Sequence, residues 1–250
     1  MGKIIAVVNH KGGVAKSTTA AALLAGLSEK GCRVLAVDLD PQCNFSLITG
    51  ADTKGGTILG ALAEEIKAAD AVQRTAQGDV IAGHKGLAGA DAIMTETGKE
   101  YKLREALEPI ATSYDYIIID TPPALGVLTV NALTAADEIV IPAQADILSV
   151  QGIDALTETI KTVRKYCNPK LKVKGILLTR YNPRSVLTGE VTKLMQTLAD
   201  RIGVKLFKAT IREAIAIKEA QIKQESLFTY APKAKVTADY RAFIEELLQD

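Results

Sequence analysis

The sequence predicts an α/β fold with one doubly wound, mostly parallel sheet flanked by helices. Short apolar runs of strand length alternate with Ala/Leu-rich segments of helical length, as in repeated strand-helix-strand units. The runs at residues 4–8, 34–37 and 116–119 are each followed by polar residues. Because the carboxyl ends of parallel strands lie at one edge of a sheet, we expect these polar residues to share a crevice there.

Length and composition favour a single domain over residues 1–250. A chain of 250 residues with 48% hydrophobic and 4% aromatic residues and no Trp can bury a core of Ala, Val, Ile and Leu side chains. Cys32, Cys43 and Cys167 form no CxxC pair, which favours a reducing compartment. The first strand begins at once and no apolar run reaches the ~20 residues of a membrane span. We therefore expect a cytoplasmic protein without a stable membrane anchor.

The net charge of +1 conceals an asymmetry along the chain. Residues 1–160 carry 12 Lys and Arg against 20 Asp and Glu, whereas residues 161–250 carry 18 against 9. A basic C-terminal part suits a polyanionic partner such as DNA or an anionic membrane. The alternative is a set of solvated lysines that only keep the surface soluble.

The first strand leads into a loop that has the features of a phosphate cradle. Residues 9–19 read NHKGGVAKSTT, and a helix is predicted over residues 17–30. Glycines let backbone N–H groups turn inward, the helix N-terminus adds partial positive charge, Lys16 can reach the outer phosphates, and the Ser17 hydroxyl can bind Mg²⁺. The alternative is a Gly-rich turn with incidental lysines. The predicted nucleotide-binding residues are Lys11, Gly12, Gly13, Val14, Ala15, Lys16, Ser17 and Thr18.

This loop departs from the general G-x-x-x-x-G-K-[ST] pattern at both of its defining glycines. His10 replaces the first and Ala15 replaces the second. An alanine does not adopt a positive φ cheaply, so we expect Ala15 to have near-helical backbone geometry.

The pair of lysines at positions 11 and 16 resembles the deviant Walker A motif of the ParA/MinD ATPases. The resemblance covers essentially the whole chain and implies a P-loop NTPase that uses ATP and Mg²⁺. It also implies an ATP-sandwich homodimer in which Lys11 of each subunit contacts the nucleotide held by the other. Such a cation stabilises charge on the phosphoryl oxygens during hydrolysis. Lys11, Lys16 and Asp40 are the catalytic residues that the resemblance implies.

Carboxylates follow the second predicted strand and end a later one. Residues 34–37 lead into Asp38-Leu39-Asp40-Pro41-Gln42, and residues 116–119 end in Asp120. These segments resemble the family's Walker A′ and Walker B motifs, with Cys43 at a position where the family usually has glycine. By this resemblance Asp40 orients the hydrolytic water. Ser17, Asp38 and, through a water molecule, Asp120 hold the Mg²⁺ ion.

The remaining segments continue the alternation of strands and helices. Residues 44–80 are the least regular, and we predict a mobile, switch-like loop over residues 44–56. His84 lies in a Gly-rich connection and is expected on the surface. The closing helix, residues 237–248, has an apolar face that we expect to pack in the core rather than on a membrane, since Glu245, Glu246 and Asp250 dominate its polar face. Strands are predicted over residues 80–82, 138–142, 174–179 and 205–209, and helices over 99–110, 150–166, 186–202 and 213–221.

The resemblance implies a partition ATPase whose ATP-bound dimer binds DNA without sequence preference. A ParB-like activator would stimulate hydrolysis and release. Arg184 matches one of the family's DNA-binding arginines, whereas Ala216 stands where a second is expected. We expect Arg212, Lys218 or Lys223 to replace it. The chain begins at the P-loop strand, so we expect no N-terminal helix-turn-helix domain.

Two other functions stay open at this point. A MinD-like membrane-associated positioning ATPase is one, and residues 179–183, TRYNP, resemble that branch. A small-molecule P-loop ligase, such as dethiobiotin synthetase, is the other. A nitrogenase iron-protein type of carrier would need interface cysteines beyond the Walker B strand, and Cys167 alone does not supply them. The sequence does not identify the partner or the cargo.

Overall fold

A computed structural model describes residues 2–183 and 186–249, although not the side chains at 186 and 187. It contains an eight-stranded sheet in the order β3-β4-β2-β5-β1-β6-β7-β8. The strands are β1 (Lys3–Val7), β2 (Val34–Asp38), β3 (Val72–Thr75), β4 (Gly78–Ile81), β5 (Tyr116–Asp120), β6 (Glu138–Gln144), β7 (Lys172–Tyr181) and β8 (Leu206–Arg212). Every pairing is parallel except β3 with β4, so the predicted α/β fold is confirmed.

Helices cover both faces of this sheet. The helices are α1 (Lys16–Glu29), α2 (Asn44–Thr49), α3 (Ile58–Leu62), α4 (Ala90–Ile93), α5 (Lys102–Leu107), α6 (Val127–Ala135), α7 (Ile147–Tyr166), α8 (Val186–Ile202), α9 (Ile215–Lys223), α10 (Leu227–Tyr230) and α11 (Lys235–Leu248). The alternation of buried strands with helices on both sides produces two apolar layers, one on each face of the sheet.

The register of the central strands aligns their last residues. Val7 of β1 and Asp38 of β2 are both register partners of Asp120 in β5. Neighbouring parallel strands lie about 4.8 Å apart, so the segments that follow these strands leave the sheet side by side. The polar residues that the sequence places after three separate strands therefore meet at one edge.

The closing helix α11 packs in the core, as predicted. Tyr240, Phe243, Ile244 and Leu247 are buried in the layer that also contains the apolar residues of α1. Gly26 allows this contact, because a Cβ atom there would lie 2.3 Å from Cδ1 of Ile244. Leu248 is the exception to the predicted apolar face, since it is 39% exposed.

Two local predictions were wrong. The first half of the predicted loop at 44–56 is helix α2, in which Phe45, Ser46 and Thr49 are buried. Tertiary burial of Phe45 stabilises this short helix, which sequence periodicity cannot reveal over six residues. The antiparallel edge strand β3 was also missed, because its residues VQRT lack an apolar alternation. No helix among residues 2–183 and 186–249 is long and apolar enough to span a bilayer.

Candidate functional site

A cavity of about 660 Å³ opens at the carboxyl edge of the sheet. The P-loop, residues 9–16, and the N-terminus of α1 form one wall. The segment that joins β8 to α9 forms the opposite wall and contributes Arg212, Glu213 and Ala214. Asp40 and Pro123 line the cavity from the neighbouring strands. The structure thus brings the P-loop, Asp40 and the segment that follows β5 to one cleft of the size of a small-molecule site.

The P-loop reaches the helix through a left-handed residue. Ala15, the residue that precedes α1, has φ 64° and ψ 33°, and Gly13 has φ 75°. The expectation that Ala15 would have near-helical geometry was therefore wrong. The turn that directs the chain from the loop into α1 requires this conformation, and a residue with a Cβ atom adopts it at a cost of roughly 1–2 kcal/mol. A Cβ atom added at Gly12 or Gly13 would meet no atom within 4 Å, so the loop lies open to the cavity.

Side chains from the strands hold the loop's carbonyl groups. Gln144 at the end of β6 donates a hydrogen bond to the Gly13 carbonyl at 2.9 Å. Thr179 in β7 donates one to the Val14 carbonyl at 3.1 Å. Asn9 is itself fixed by a 2.6 Å bond to the Pro142 carbonyl. Sequence reasoning missed Gln144 and Thr179 as positioning residues, because only the sheet order brings β6 and β7 beside the loop.

Lys16 is a buried cation at the head of α1. It is 7% exposed, and its ammonium group donates a hydrogen bond to the Lys11 carbonyl at 3.0 Å. Burial lowers the pKa of Lys16, while the nearby carboxylates of Asp120 and Asp40 act in the opposite direction. A cation at the N-terminus of a helix lies where the peptide dipoles also present positive charge. The pocket therefore presents concentrated positive charge to a phosphate group.

Asp120 provides a carboxylate without hydrogen-bond partners. It is 1% exposed, and within the described residues neither of its side-chain oxygens has a hydrogen-bond partner. Burial raises its pKa well above the ordinary value and the Asp38 carboxyl adds to the increase, whereas Ser17 and Lys16 offset part of it. A buried carboxylate with free oxygens is a group that a cation would stabilise.

Asp38 has a different role from Asp120. One of its oxygens accepts hydrogen bonds from the backbone N–H and the hydroxyl of Ser46, at 2.8 and 2.6 Å, and the other accepts the Asp40 N–H at 3.1 Å. Burial, partly offset by these bonds, raises the pKa of Asp38 to about 6. Asp38 thus anchors α2 and the loop that carries Asp40.

The donor set fits Mg²⁺ better than a metal that requires a protein cage. No group of three or more His, Cys, Asp and Glu residues that could hold a metal occurs in the described part of the chain. Mg²⁺ usually takes one or two protein oxygens and completes its shell with water and substrate phosphates. Asp120 and the hydroxyl of Ser17 could supply those oxygens.

The segment after β2 is held in an unusual backbone conformation. Asp40 is mostly buried, lines the cavity and accepts the Gln42 N–H at 2.9 Å. Cys43 has φ 53°, a left-handed geometry that favours glycine. Burial, followed by the Asp38 and Asp40 charges, raises the pKa of the Cys43 thiol to about 11, so this thiol is unreactive at neutral pH. The turn fixes Asp40 at the cavity.

Lys11 turns to α7 rather than into the cavity. Its ammonium group lies 2.6 Å from Oδ2 of Asp146. Asp146 is the N-cap of α7, and its other oxygen accepts the Ser149 N–H at 2.9 Å. The Lys11 backbone N–H donates to Asn9 at 3.0 Å. The Lys11 ammonium group therefore contacts α7 outside the cavity, whereas Lys16 lines the cavity.

Three of the four predicted DNA-binding residues lie in the described part of the chain. Arg184 lies outside the described residues. Arg212 makes two short contacts with Asp239, at 2.6 and 2.7 Å, and Asp239 has a side chain that is only 12% exposed. Lys218 lies on the wall of the same cavity as Arg212, and Lys223 is exposed near the end of α9. Of the three described candidates, Lys218 and Lys223 keep ammonium groups free of ion pairs.

Comparisons with known proteins agree with this architecture. A family model described as an AAA domain matches residues 2–173. The sporulation initiation inhibitor protein Soj of Bacillus subtilis is 36% identical over 99% of this chain and 98% of Soj. The chromosome partitioning protein ParA of Myxococcus xanthus is 35% identical over 100% of this chain and 89% of ParA. A solved structure of Mycobacterium smegmatis cobyrinic acid a,c-diamide synthase with a bound ATP analog and magnesium is 34% identical, with a TM-score of 0.86, over 100% of this chain and 95% of that one.

Proposed function

This chain belongs to the ParA/Soj family of P-loop ATPases, and from that membership we propose that it is a Mg²⁺-dependent ATPase whose ATP-bound dimer binds DNA without sequence preference. A ParB-like partner stimulates hydrolysis and thereby releases the DNA. The cycle would serve DNA partition or the positioning of a cargo. The observation that carries the proposal is the buried Lys16 ammonium at the head of α1, with the free carboxylate of Asp120 nearby.

The residues of the cavity have separate roles in this proposal. The P-loop N–H groups and Lys16 bind the phosphates, and Ser17 and Asp120 hold the metal ion. When bound, ATP would supply the phosphoryl group, and Mg²⁺ would neutralise part of the charge on the phosphate oxygens. Asp40 accepts a hydrogen bond from the hydrolytic water and orients it. Asp38 keeps the Asp40 loop in place through Ser46.

Dimerisation requires Lys11 to leave Asp146. In the proposed sandwich the Lys11 ammonium contacts the nucleotide of the partner subunit. A cation supplied in this way stabilises charge on the phosphoryl oxygens, as an arginine finger does, for which rate effects of ~10³ to 10⁵ are typical. The Lys11–Asp146 pair is only partly exposed, with side-chain exposures of 25% and 35%, and an ion pair of this kind is worth about 1 kcal/mol or less. Binding energy from nucleotide and partner is sufficient to break it.

A DNA-binding assay tests the proposal directly. Fluorescence anisotropy with a random-sequence duplex is measured with Mg·ATP and with Mg·ADP, alongside light scattering for the oligomeric state. We expect a dimer that binds DNA with ATP and a monomer that binds far more weakly with ADP. Lys16→Ala is expected to abolish nucleotide binding, and Lys11→Ala to impair dimerisation more than nucleotide binding. Equal affinity in the two nucleotide states, or a monomer in both, would contradict the proposal.

A small-molecule ligase is the second candidate, because the Mycobacterium smegmatis relative is described as a cobyrinic acid a,c-diamide synthase. Such an enzyme would release ADP only when its acid substrate and amine donor are present, and DNA would not change its turnover. The membrane-associated alternative has less support. The apolar face of α11 is buried against α1, and this helix cannot insert that face into a bilayer without unfolding from the core.

A further inference from the structure

The basic excess of the C-terminal part is concentrated in one short segment. Residues 161–174 contain six Lys and Arg and no Asp or Glu. This segment includes the last turns of α7, the following loop and the start of β7. It lies at the amino edge of the sheet, and β6 spans the roughly 20 Å from that edge to the nucleotide cavity. The cations that explain the charge asymmetry are therefore remote from the ATP site.

Part of this segment borders an open depression of about 820 Å³. Four cations line it, contributed by β1, α7, the loop and β7: Lys3, Arg164, Lys170 and Lys172. Two acidic residues also line it. Asp137 accepts the Ile4 N–H at 2.8 Å, and the mostly buried Glu138 carboxylate lies 3.1 Å from Lys3 and 3.9 Å from Lys174. Four cations against two carboxylates leave the lining of the depression with a formal net charge of +2.

Three of the exposed lysines in this segment lack an acidic partner in the part of the chain that the structure describes. Lys165, Lys170 and Lys172 form no ion pair within the described residues. The helix dipole at the end of α7 accounts for Arg164 and Lys165, but not for cations in the loop and on β7. Tyr166 stands beside them, 67% exposed, with the Lys165 ammonium 4.9 Å from its ring centroid. An exposed phenol among unpaired lysines can donate to a phosphate oxygen.

We propose that this surface, formed by Arg164, Lys165, Tyr166, Lys170 and Lys172, is a second contact site for the DNA phosphate backbone. The proposal rests on the DNA binding proposed above and extends it, because this surface is present in each subunit and does not depend on the nucleotide cavity. A phosphate backbone fits better than a bilayer. Tyr166 is the one large apolar side chain in residues 161–174 that is mostly exposed, and binding to a membrane surface needs a broader apolar face.

The consequence is a DNA affinity with two parts. The surface on each subunit supplies a weak affinity in every nucleotide state, and ATP-dependent dimerisation multiplies it by placing two such surfaces on one duplex. Each phosphate that a lysine neutralises contributes about −0.9 to the slope of log affinity against log salt.

The test compares two triple variants with equal loss of charge. Lys165→Gln/Lys170→Gln/Lys172→Gln removes the unpaired lysines of the surface, whereas Lys54→Gln/Lys67→Gln/Lys233→Gln removes three other exposed, unpaired lysines. Anisotropy with a random duplex is measured from ~50 to 200 mM salt, with ATP and with ADP. We expect the first variant to lose at least about tenfold in affinity in both states, with a loss of about 2 to 3 units of salt slope with ADP and up to about 5 with ATP, where two surfaces contact one duplex. We expect the second to stay within about twofold of the wild type.

The outcomes separate this inference from the proposed function. ATP-dependent DNA binding that both variants retain equally would overturn the second contact site and leave the partition proposal intact. Wild-type binding that is identical with ATP and ADP, yet lost in the first variant, would support the site and refute the ATP-gated cycle. Loss of binding to phosphatidylglycerol vesicles in the first variant, with DNA affinity unchanged, would assign the surface to a membrane and overturn the proposal.

Discussion

The Lys11 ammonium group and the Asp146 carboxylate form an ion pair of 2.6 Å that joins the P-loop to the N-terminus of α7. Burial raises the pKa of Asp146, but hydrogen bonds from Lys11 and Ser149 outweigh that effect and leave the pKa below its ordinary value. The Asp146 carboxyl group is therefore ionised at neutral pH. The ion pair keeps Lys11 within its own subunit. In the proposed dimer, this same lysine contacts the nucleotide of the partner subunit.

Asp146→Asn is expected to favour the ATP-bound dimer. Asparagine caps a helix about as well as aspartate, so α7 keeps its N-cap while Lys11 loses its charged partner. An ion pair of this kind is worth about 0.5–1 kcal/mol. The dissociation constant of the dimer should therefore fall about two- to fivefold for each subunit in which Lys11 no longer has to leave Asp146. Analytical ultracentrifugation with ATP measures this constant.

Asp154→Asn is the matched control for that experiment. It removes an acidic side chain of the same helix that pairs with Arg201 instead of Lys11. We expect no change in its dimer dissociation constant. If Asp146→Asn dimerised more weakly than Asp154→Asn, Asp146 would help to position Lys11 in the dimer. It would then not compete with the partner subunit's nucleotide for the Lys11 ammonium group.

Asp120→Asn is expected to stabilise the protein without nucleotide. The pKa of Asp120 in the folded chain is raised, so the folded state binds more protons than the unfolded state above about pH 4, and stability falls as pH increases. The neutral variant avoids this loss. At pH 7 the Tm of the variant should exceed that of the wild type by about 2–4 °C for each kcal/mol gained in the free energy of unfolding. The two Tm values should converge near pH 4.

The same variant should lose its response to metal. Mg·ATP is expected to raise the Tm of the wild type more than ATP with EDTA does, because the cation pairs with the buried carboxylate. Asp120→Asn should show no such difference. Differential scanning calorimetry measures both effects, and an equal response to Mg²⁺ in the two proteins would remove Asp120 from the metal site.

Ala15→Gly tests the left-handed turn of the P-loop. Glycine relieves a strain of roughly 1–2 kcal/mol and costs about 0.4–1 kcal/mol through the more flexible unfolded chain, so a small net stabilisation is expected. Ala21→Gly, inside α1, should destabilise the protein by about 0.5–1 kcal/mol. Urea unfolding gives both values. Destabilisation of similar size at both positions would show that the turn is not strained.

Substitutions of Arg212 and Lys223 are expected to have different effects, the first on stability and the second on DNA binding. Arg212→Gln leaves the mostly buried Asp239 without its ionic partner, so it should lower the free energy of unfolding and leave the salt slope of DNA binding unchanged. Lys223→Gln should leave stability unchanged and reduce the slope by about 1. Paired urea unfolding and anisotropy measurements test this. A reduced slope for Arg212→Gln would restore Arg212 as a DNA contact.

The sequence by itself determined seven of the eight strands of the sheet, the order of the motifs and their common edge. Apolar runs that end in Asp38 and Asp120, and a Gly-rich loop that ends in Lys16 and Ser17, predict a phosphate and metal site from local chemistry and spacing, whereas the role of Lys11 came from the resemblance to the ParA/MinD ATPases. The buried helix α2 and the edge strand β3 could not be predicted, because short elements depend on packing that periodicity does not record.

The tertiary structure decided what each charged group contacts. Asp38 and Asp120 look equivalent in the sequence, yet Ser46 and the Asp40 backbone occupy the oxygens of one while those of the other stay free. The same holds for the cations, since Asp146 engages Lys11 and Asp239 engages Arg212, whereas Lys170 and Lys172 form no ion pair with any residue that the structure describes. The partners of the two cations come from other parts of the chain, 135 residues away for Lys11 and 27 for Arg212. Whether a charge is paired or free therefore depends on which elements the fold brings together, and local sequence does not record that.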